Sequence, residues 1–200
     1  MTRLILVRHG PTADTGKRLT GRLPGVALTP AGHRAAAALA RSLGEVPLVA
    51  VYTSPALRCR ETAALLAEPH GLRPRVYPRL ADTDYGSWSG RSLAVVRRTT
   101  LWRLVEATPS RVRFPDGEAL TEVQARAIAA CEALTARHPD ATLAVVTHAD
   151  IIGTALAHYL GMPLDLYRRL TLDPAAATTF ERPADGPPRV RGINLRTEAP

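Results

Sequence analysis

The stretch "LILVRHGPT", Leu4 to Thr12, decides the reading of the fold. Four apolar residues run into Arg8, His9 and Gly10 without the polar alternation of a half-exposed strand. An unbroken run of this length reads as a strand of a parallel sheet, buried on both faces. A buried strand that ends on a cation and an imidazole places them where open α/β sheets hold ligands, beyond the carboxyl ends of their strands.

The same pattern recurs along the chain. Loop residues Gly16, Gly21, Pro24 and Gly25 follow the first run. Thr29 then reads as an N-cap with Pro30 in the first turn of a helix through "AGHRAAAALARSLG" that stops near Gly44. Leu48–Tyr52 is a second β-type run, and "SPALRCRETAALLAE" a helix with Ser54 as cap and Pro55 next. A loop around "YGSWSG" leads to shorter helices over about 91–107. Thr121 and Gln124 form a capping box before a long helix. Thr142–Val146 is a third buried strand, and "HADIIGTALAHYLG" a helix ending at Gly161. Two β-type stretches, about 175–182 and 188–195, are split by "PADGPP" and read as an antiparallel hairpin at the sheet edge. Strands alternating with helices predict a three-layer α/β/α sandwich, mostly parallel, with helices on both faces. With no linker and no repeat, residues 1–200 are expected to form one domain.

Composition narrows the function classes. The net charge is +8 and the pI about 10.4, which by itself favours nucleic acid or an anionic surface. However, Lys17 is the only lysine among 26 basic residues, and the arginines are scattered. Only small doublets occur, at Arg97–Arg98 and Arg168–Arg169. With no basic run or stripe, neither nucleic acid nor a membrane is the expected partner, and a general attraction for small anions is. Two cysteines, Cys59 and Cys131, make no disulfide framework and lack partners at zinc spacing, so a cytoplasmic chain without a metal is expected. No P-loop or dinucleotide fingerprint is present, and no cofactor is expected.

Arg8 and His9 follow the first strand, Ser54, Pro55 and Arg58 the second, and Thr147 and His148 the third. If these strands are neighbours, two guanidiniums and two imidazoles meet in one cleft. Such a group repels itself unless an anion sits within it, and arginine forks match the oxygens of a phosphoryl group. A neutral imidazole can attack phosphorus. Gly10 is expected to leave space for phosphate to approach the backbone. Helices starting near Pro55 and Ala149 would aim their N-termini at the same point.

The segments "LVRHGPT", "SPALRCRETA", "DTDYGSWSG" and "VVTHAD" resemble the ordered motifs of the histidine phosphatase superfamily, from residue 3 to about residue 160. The resemblance implies that His9 is the nucleophile of a phosphohistidine intermediate, that Arg8 and Arg58 clamp phosphate, and that His148 binds the phosphoryl group. Thr15, where the family often has asparagine, and the loop residues Gly21 and Arg22 are implied phosphate or substrate contacts. The family's general acid, a glutamate ahead of the "YGxWxG"-like loop, corresponds to Asp82. Aspartate is shorter by about 1.5 Å of reach, so Asp84, Glu118 and Asp150 stand as alternative acids. Glu118 is equally read as an acid complementing a helix N-terminus. Tyr85 and Trp88 either wall the substrate mouth or pack in the core. His33, His70, His138 and His158 are read as surface or packing residues.

The expected activity is hydrolysis of a small phosphorylated metabolite. Two alternatives remain open: a phosphoglycerate-type mutase, though such enzymes are usually longer, and a binding protein that has kept the pocket but lost the acid. A nucleic-acid-associated role would exploit the charge alone. Substrate choice lies in loops 11–26 and 85–118, and the oligomeric state, a homodimer included, is open.

Overall fold

A computed structural model describes residues 1–183 and 185–196. Ala184, in the expected hairpin turn, and 197–200 lie outside the described residues. Six strands form one sheet in the order β3-β2-β4-β1-β5-β6. Strands β1 (Thr2–Arg8), β2 (Leu48–Thr53), β3 (Arg75–Val76) and β4 (Thr142–Thr147) are parallel, while β5 (Ala177–Arg182) and β6 (Arg189–Leu195) form the antiparallel edge.

The apolar run of β1 is divided between two cores. Leu4 and Leu6 pack with α5 (Leu120–Arg137) and α6 (Ala149–Tyr159). Ile5 and Val7 point the other way, toward α1 (Pro30–Ser42) and α2 (Leu57–Ala67). Successive side chains of a strand alternate faces, so an unbroken apolar run is what a sheet covered on both sides demands. Full burial of each such side chain contributes about 1.5–3 kcal/mol. The short helices α3 (Leu93–Val96) and α4 (Thr100–Ala107) fall within the expected 91–107 region.

Register sets the site. Arg8 pairs with Thr147, the His9 N–H donates to the Thr147 carbonyl at 3.0 Å, and the Ser54 N–H donates to the Val146 carbonyl at 2.9 Å. The ends of β1, β2 and β4 are therefore level, and the residues following them share one edge.

Two helix starts differ from expectation. Helix α2 begins at Leu57 because Ser54 still belongs to the sheet ladder; its hydroxyl accepts from the Ala56 N–H and also contacts His148. Helix α5 begins at Leu120 rather than after Thr121. The Glu122 carboxylate accepts the Ala119 N–H at 2.9 Å, and this start buries Leu120, Val123 and Ala127 on one face. The two-residue β3 was not anticipated. Both its residues are exposed, so it carries no apolar signal.

The start of α1 is as expected: the Thr29 hydroxyl accepts from the Gly32 N–H at 3.0 Å. Thr29→Ala is expected to cost about 1 kcal/mol, lowering Tm by about 2–4 °C in a chain of this size. Calorimetry with a denaturant titration checks it.

Candidate active site

The level strand ends open into a cavity of about 380 Å³ lined by Arg8, His9, Thr15, Arg58, Asp82 and His148 among others. Residues from the start, the first third and the last third of the chain thus meet in one place.

His9 is almost fully buried. Its Nδ1 lies 2.8 Å from the Gly10 carbonyl, which only accepts, so the proton sits on Nδ1. The lone pair of Nε2 faces the cavity, where Arg58 Nε–H donates to it at 3.3 Å. Burial and the adjacent guanidiniums of Arg58 and Arg8 push the imidazole pKa down to about 3. His9 is therefore neutral near pH 7, and its Nε2 lone pair, turned to the cavity, is engaged only by Arg58 Nε–H among the described residues.

Arg58, only 1% exposed, organises the cluster. Its Nη2 donates to the Gly21 carbonyl at 2.8 Å and to Asp82 Oδ2 at 2.8 Å, and lies 3.2 Å from His148 Nδ1. Arg8 donates from Nη1 to the Leu172 carbonyl at 2.6 Å. Arg8 Nε and Arg58 Nη1 are buried with no acceptor among the described residues. Leaving a charged donor unsatisfied is expensive, so the site is built to receive acceptor atoms.

His148 lies edge-on to His9, with ring centroids 5.3 Å apart. Burial, then His9 and Arg58, hold its pKa well below the usual imidazole value. Ser54 Oγ lies 2.8 Å from Nε2. Because Ser54 accepts the Ala56 N–H, its own proton is free to donate to Nε2. This leaves the His148 proton on Nδ1, facing Asp82 Oδ2 at 3.2 Å and the cavity. The Ser54 contact, which orients a neighbour rather than capping a helix, was not legible from sequence.

Asp82 reaches the cluster despite its short side chain. Burial pushes its pKa up to about 6; Arg58 opposes this and the nearby Asp150 reinforces it. A carboxyl of this kind exchanges a proton near neutrality. The other carboxylates are committed elsewhere. Glu118 accepts the Asp84 N–H and pairs with Arg126 and Arg22. Arg126 in turn donates to the carbonyls of Arg79, Ala81 and Asp82. Glu118 therefore braces the loop carrying Asp82 and does not complement a helix N-terminus. Asp84 accepts the Gly86 N–H and pairs with Arg22.

The geometry gives Gly21, Arg22, Gly10 and Thr15 further contacts. Gly21 and Arg22 line an adjoining cavity of about 340 Å³ with Asp82, outside the one that holds the histidines. Gly21 supplies the carbonyl for Arg58, and Arg22 ties down the acid loop through the Asp82 carbonyl, Asp84 and Glu118. Gly10 serves packing: a Cβ there would lie 2.8 Å from the Gly32 carbonyl of α1. Thr15 lines the cavity, but its hydroxyl accepts the Thr12 N–H and bonds the Thr12 hydroxyl, closing the loop on itself. Tyr85 is both wall and core, while Trp88 is core only, packed edge-on against Phe114.

The outer wall contains residues that the sequence did not single out as ligands: Arg18, Arg97, Arg168 and Trp102. The Arg168 guanidinium lies over the Trp102 ring at 5.3 Å, and Trp102 is held by its Nε1–H to Glu106. Each arginine doublet noted in the sequence contributes one member. Among the described residues no group of three or more His, Cys, Asp or Glu comes together as a metal site, and no helix is long and apolar enough to cross a membrane.

Residues 4–195 match the sequence model of the histidine phosphatase superfamily (branch 1). The chain is 31% identical over 182 residues to phosphoserine phosphatase 1 of Hydrogenobacter thermophilus, covering 88% of this chain and 84% of that one. It is also 31% identical over 175 residues to the probable phosphoglycerate mutase GpmB of Cronobacter sakazakii, covering 86% and 81%. Among solved structures, Bacillus stearothermophilus YhfR superposes with a TM-score of 0.92 at 27% identity, covering 98% of each chain. A mycobacterial glucosyl-3-phosphoglycerate phosphatase superposes with a TM-score of 0.86 at 27% identity, covering 96% and 98%.

Removing Arg58 takes away one of the two orphaned donors. Arg58→Ala is expected to weaken inorganic phosphate binding by about 10- to 100-fold, the loss of a charge-assisted hydrogen bond of roughly 1.5–3 kcal/mol. Titration calorimetry measures it.

Proposed function

Because the chain belongs to the histidine phosphatase superfamily, we propose that it hydrolyses a small phosphomonoester through a phosphohistidine on His9. One observation carries this reading: a neutral imidazole, its Nε2 turned to the cavity, stands beside two guanidiniums that each have one buried nitrogen without an acceptor among the described residues. In the first step His9 Nε2 attacks phosphorus in line and the ester P–O bond breaks. Arg8, Arg58 and His148 take the spreading charge on the phosphoryl oxygens, and the leaving alkoxide receives the Asp82 proton. In the second step water gives its proton to the Asp82 carboxylate and attacks phosphorus. The N–P bond breaks, and phosphate and neutral His9 are regenerated. The charge compensation comes from arginine, so no metal enters these steps.

The substrate class follows from the outer wall. Arg97 and Arg168 face the cavity with no carboxylate within 4 Å among the described residues, and Arg18 pairs only loosely with Asp14, at 3.8 Å. Such a wall suits a leaving alcohol that carries a second negative group. The relatives named for phosphoserine and glucosyl-3-phosphoglycerate support this class. Mutase activity is the second reading, favoured by the similarity to the probable phosphoglycerate mutase. It would use the same phosphoenzyme but return the group to another hydroxyl. A one-domain, cytoplasmic protein belongs to the same proposal, in keeping with two buried, unpaired cysteines.

A phosphate-release assay on O-phosphoserine and 3-phosphoglycerate, coupled to detection of 2-phosphoglycerate, separates the readings. Stoichiometric free phosphate is expected; rapid isomerisation without phosphate would establish the mutase. For the wild type, kcat/KM is expected to fall as pH rises through about 6, where Asp82 loses its proton. The limb in kcat lies higher, because a bound dianion raises the Asp82 pKa further. Asp82→Asn is expected to lose the limb and about 100-fold or more in rate.

A further inference from the structure

Asp150, in the first turn of α6, is a carboxylate on the cavity wall that the hydrolytic steps do not use. Three hydroxyls converge on it. Thr83 donates to Oδ2 at 3.2 Å, Tyr85 to Oδ2 at 2.8 Å and Tyr167 to Oδ1 at 3.2 Å. Thr83 and Tyr85 belong to the loop that carries Asp82, whereas Tyr167 comes from the 3-10 turn Leu164–Arg169. Thr83 is completely buried, and Asp150 is the only partner of its hydroxyl among the described residues. Its backbone N–H donates to Asp82 Oδ1 at 2.9 Å. One residue therefore links the two carboxylates, with its amide on Asp82 and its hydroxyl on Asp150.

This linkage bears on the short acid. An aspartate gives up about 1.5 Å of reach relative to glutamate, yet Asp82 Oδ2 stands within hydrogen-bond distance of Arg58 and near His148. Where its loop is held therefore decides whether the shorter acid reaches. Arg22 and Arg126 hold its backbone from outside, and Asp150 is the group that holds it from α6, the cavity side. We propose that Asp150 is a positioning residue for the general acid: through Thr83 and Tyr85 it draws the 82–85 loop onto α6, so that an aspartate reaches the leaving oxygen.

The same carboxylate has an electrostatic effect. Asp82 is faced by Arg58 from α2, Arg8 from β1, His148 from the start of α6, and Asp150. Asp150 is faced by Arg8, Arg168, Tyr85 and Tyr167. As the like charge in that set, Asp150 favours protonated Asp82 and so keeps the acid loaded. The phenols of Tyr85 and Tyr167 are both pushed upward, first by burial and then by Asp150, so they remain donors.

This role rests on the hydrolase reading, and the test separates the two. Asp150→Ala removes both the charge and the oxygens that accept from Thr83, Tyr85 and Tyr167. Rates are measured on O-phosphoserine, whose alkoxide needs the acid, and on p-nitrophenyl phosphate, whose phenolate does not. The alkyl-to-aryl ratio of kcat/KM is expected to fall about tenfold or more, within the range of a displaced general acid. The basic limb is expected to move down by about half a pH unit or more. The longer acid in Asp82→Glu/Asp150→Ala is expected to recover part of the ratio. An unchanged ratio together with an unmoved limb overturns the role of Asp150, whatever the variant's thermal stability. If the wild type releases phosphate from neither ester, the hydrolase reading fails and takes this role with it.

Discussion

The hydrogen bond from Arg58 to Asp82 is the contact on which the site depends. Burying a guanidinium costs several kcal/mol unless every donor is answered. Arg58 is answered by Asp82, by the Gly21 carbonyl and by His9 Nε2, with Nη1 left for a guest. Loss of Asp82 leaves the buried guanidinium one acceptor short, and loss of Arg58 leaves a carboxyl that burial drives further toward its protonated form. The binding of anions and the stability of this edge of the sheet are therefore coupled through one side chain.

The surroundings push the two titrating groups in opposite directions. Burial acts on both. It disfavours the cation of His9, lowering its pKa to about 3, and the anion of Asp82, raising its pKa to about 6. Between those values the imidazole is unprotonated at Nε2 and the carboxyl still holds its proton. A nucleophile and an acid thus coexist because both sit, largely buried, at the end of a sheet whose faces are covered by helices.

Much of this was legible in the sequence where signal and structure are adjacent. The run Leu4–Val7 predicts a doubly covered strand, Thr29-Pro30 a helix start, and three strand ends a common cleft; all three are observed in the structure. The residues that were misplaced are those whose partners are distant. Arg22 follows the phosphate loop in sequence, but nothing local says that it turns toward Glu118, 96 residues on. Ser54 carries the signature of a helix cap, and its actual partner His148 lies 94 residues away. Arg97 and Arg168 are two of many scattered arginines, and only the fold brings them to one wall. Asp150 was noted as a spare acid; its binding of three hydroxyls emerges only when the loop and α6 are seen together.

If His9 carries the phosphoryl group, the covalent enzyme can be trapped. Radiolabelled substrate mixed rapidly with enzyme and quenched in base, where phosphohistidine survives, is followed by peptide mapping. An acid-labile label on the peptide containing His9, appearing and decaying at rates that match turnover, is the predicted result. Label on another residue, or undiminished turnover in His9→Ala, would contradict it.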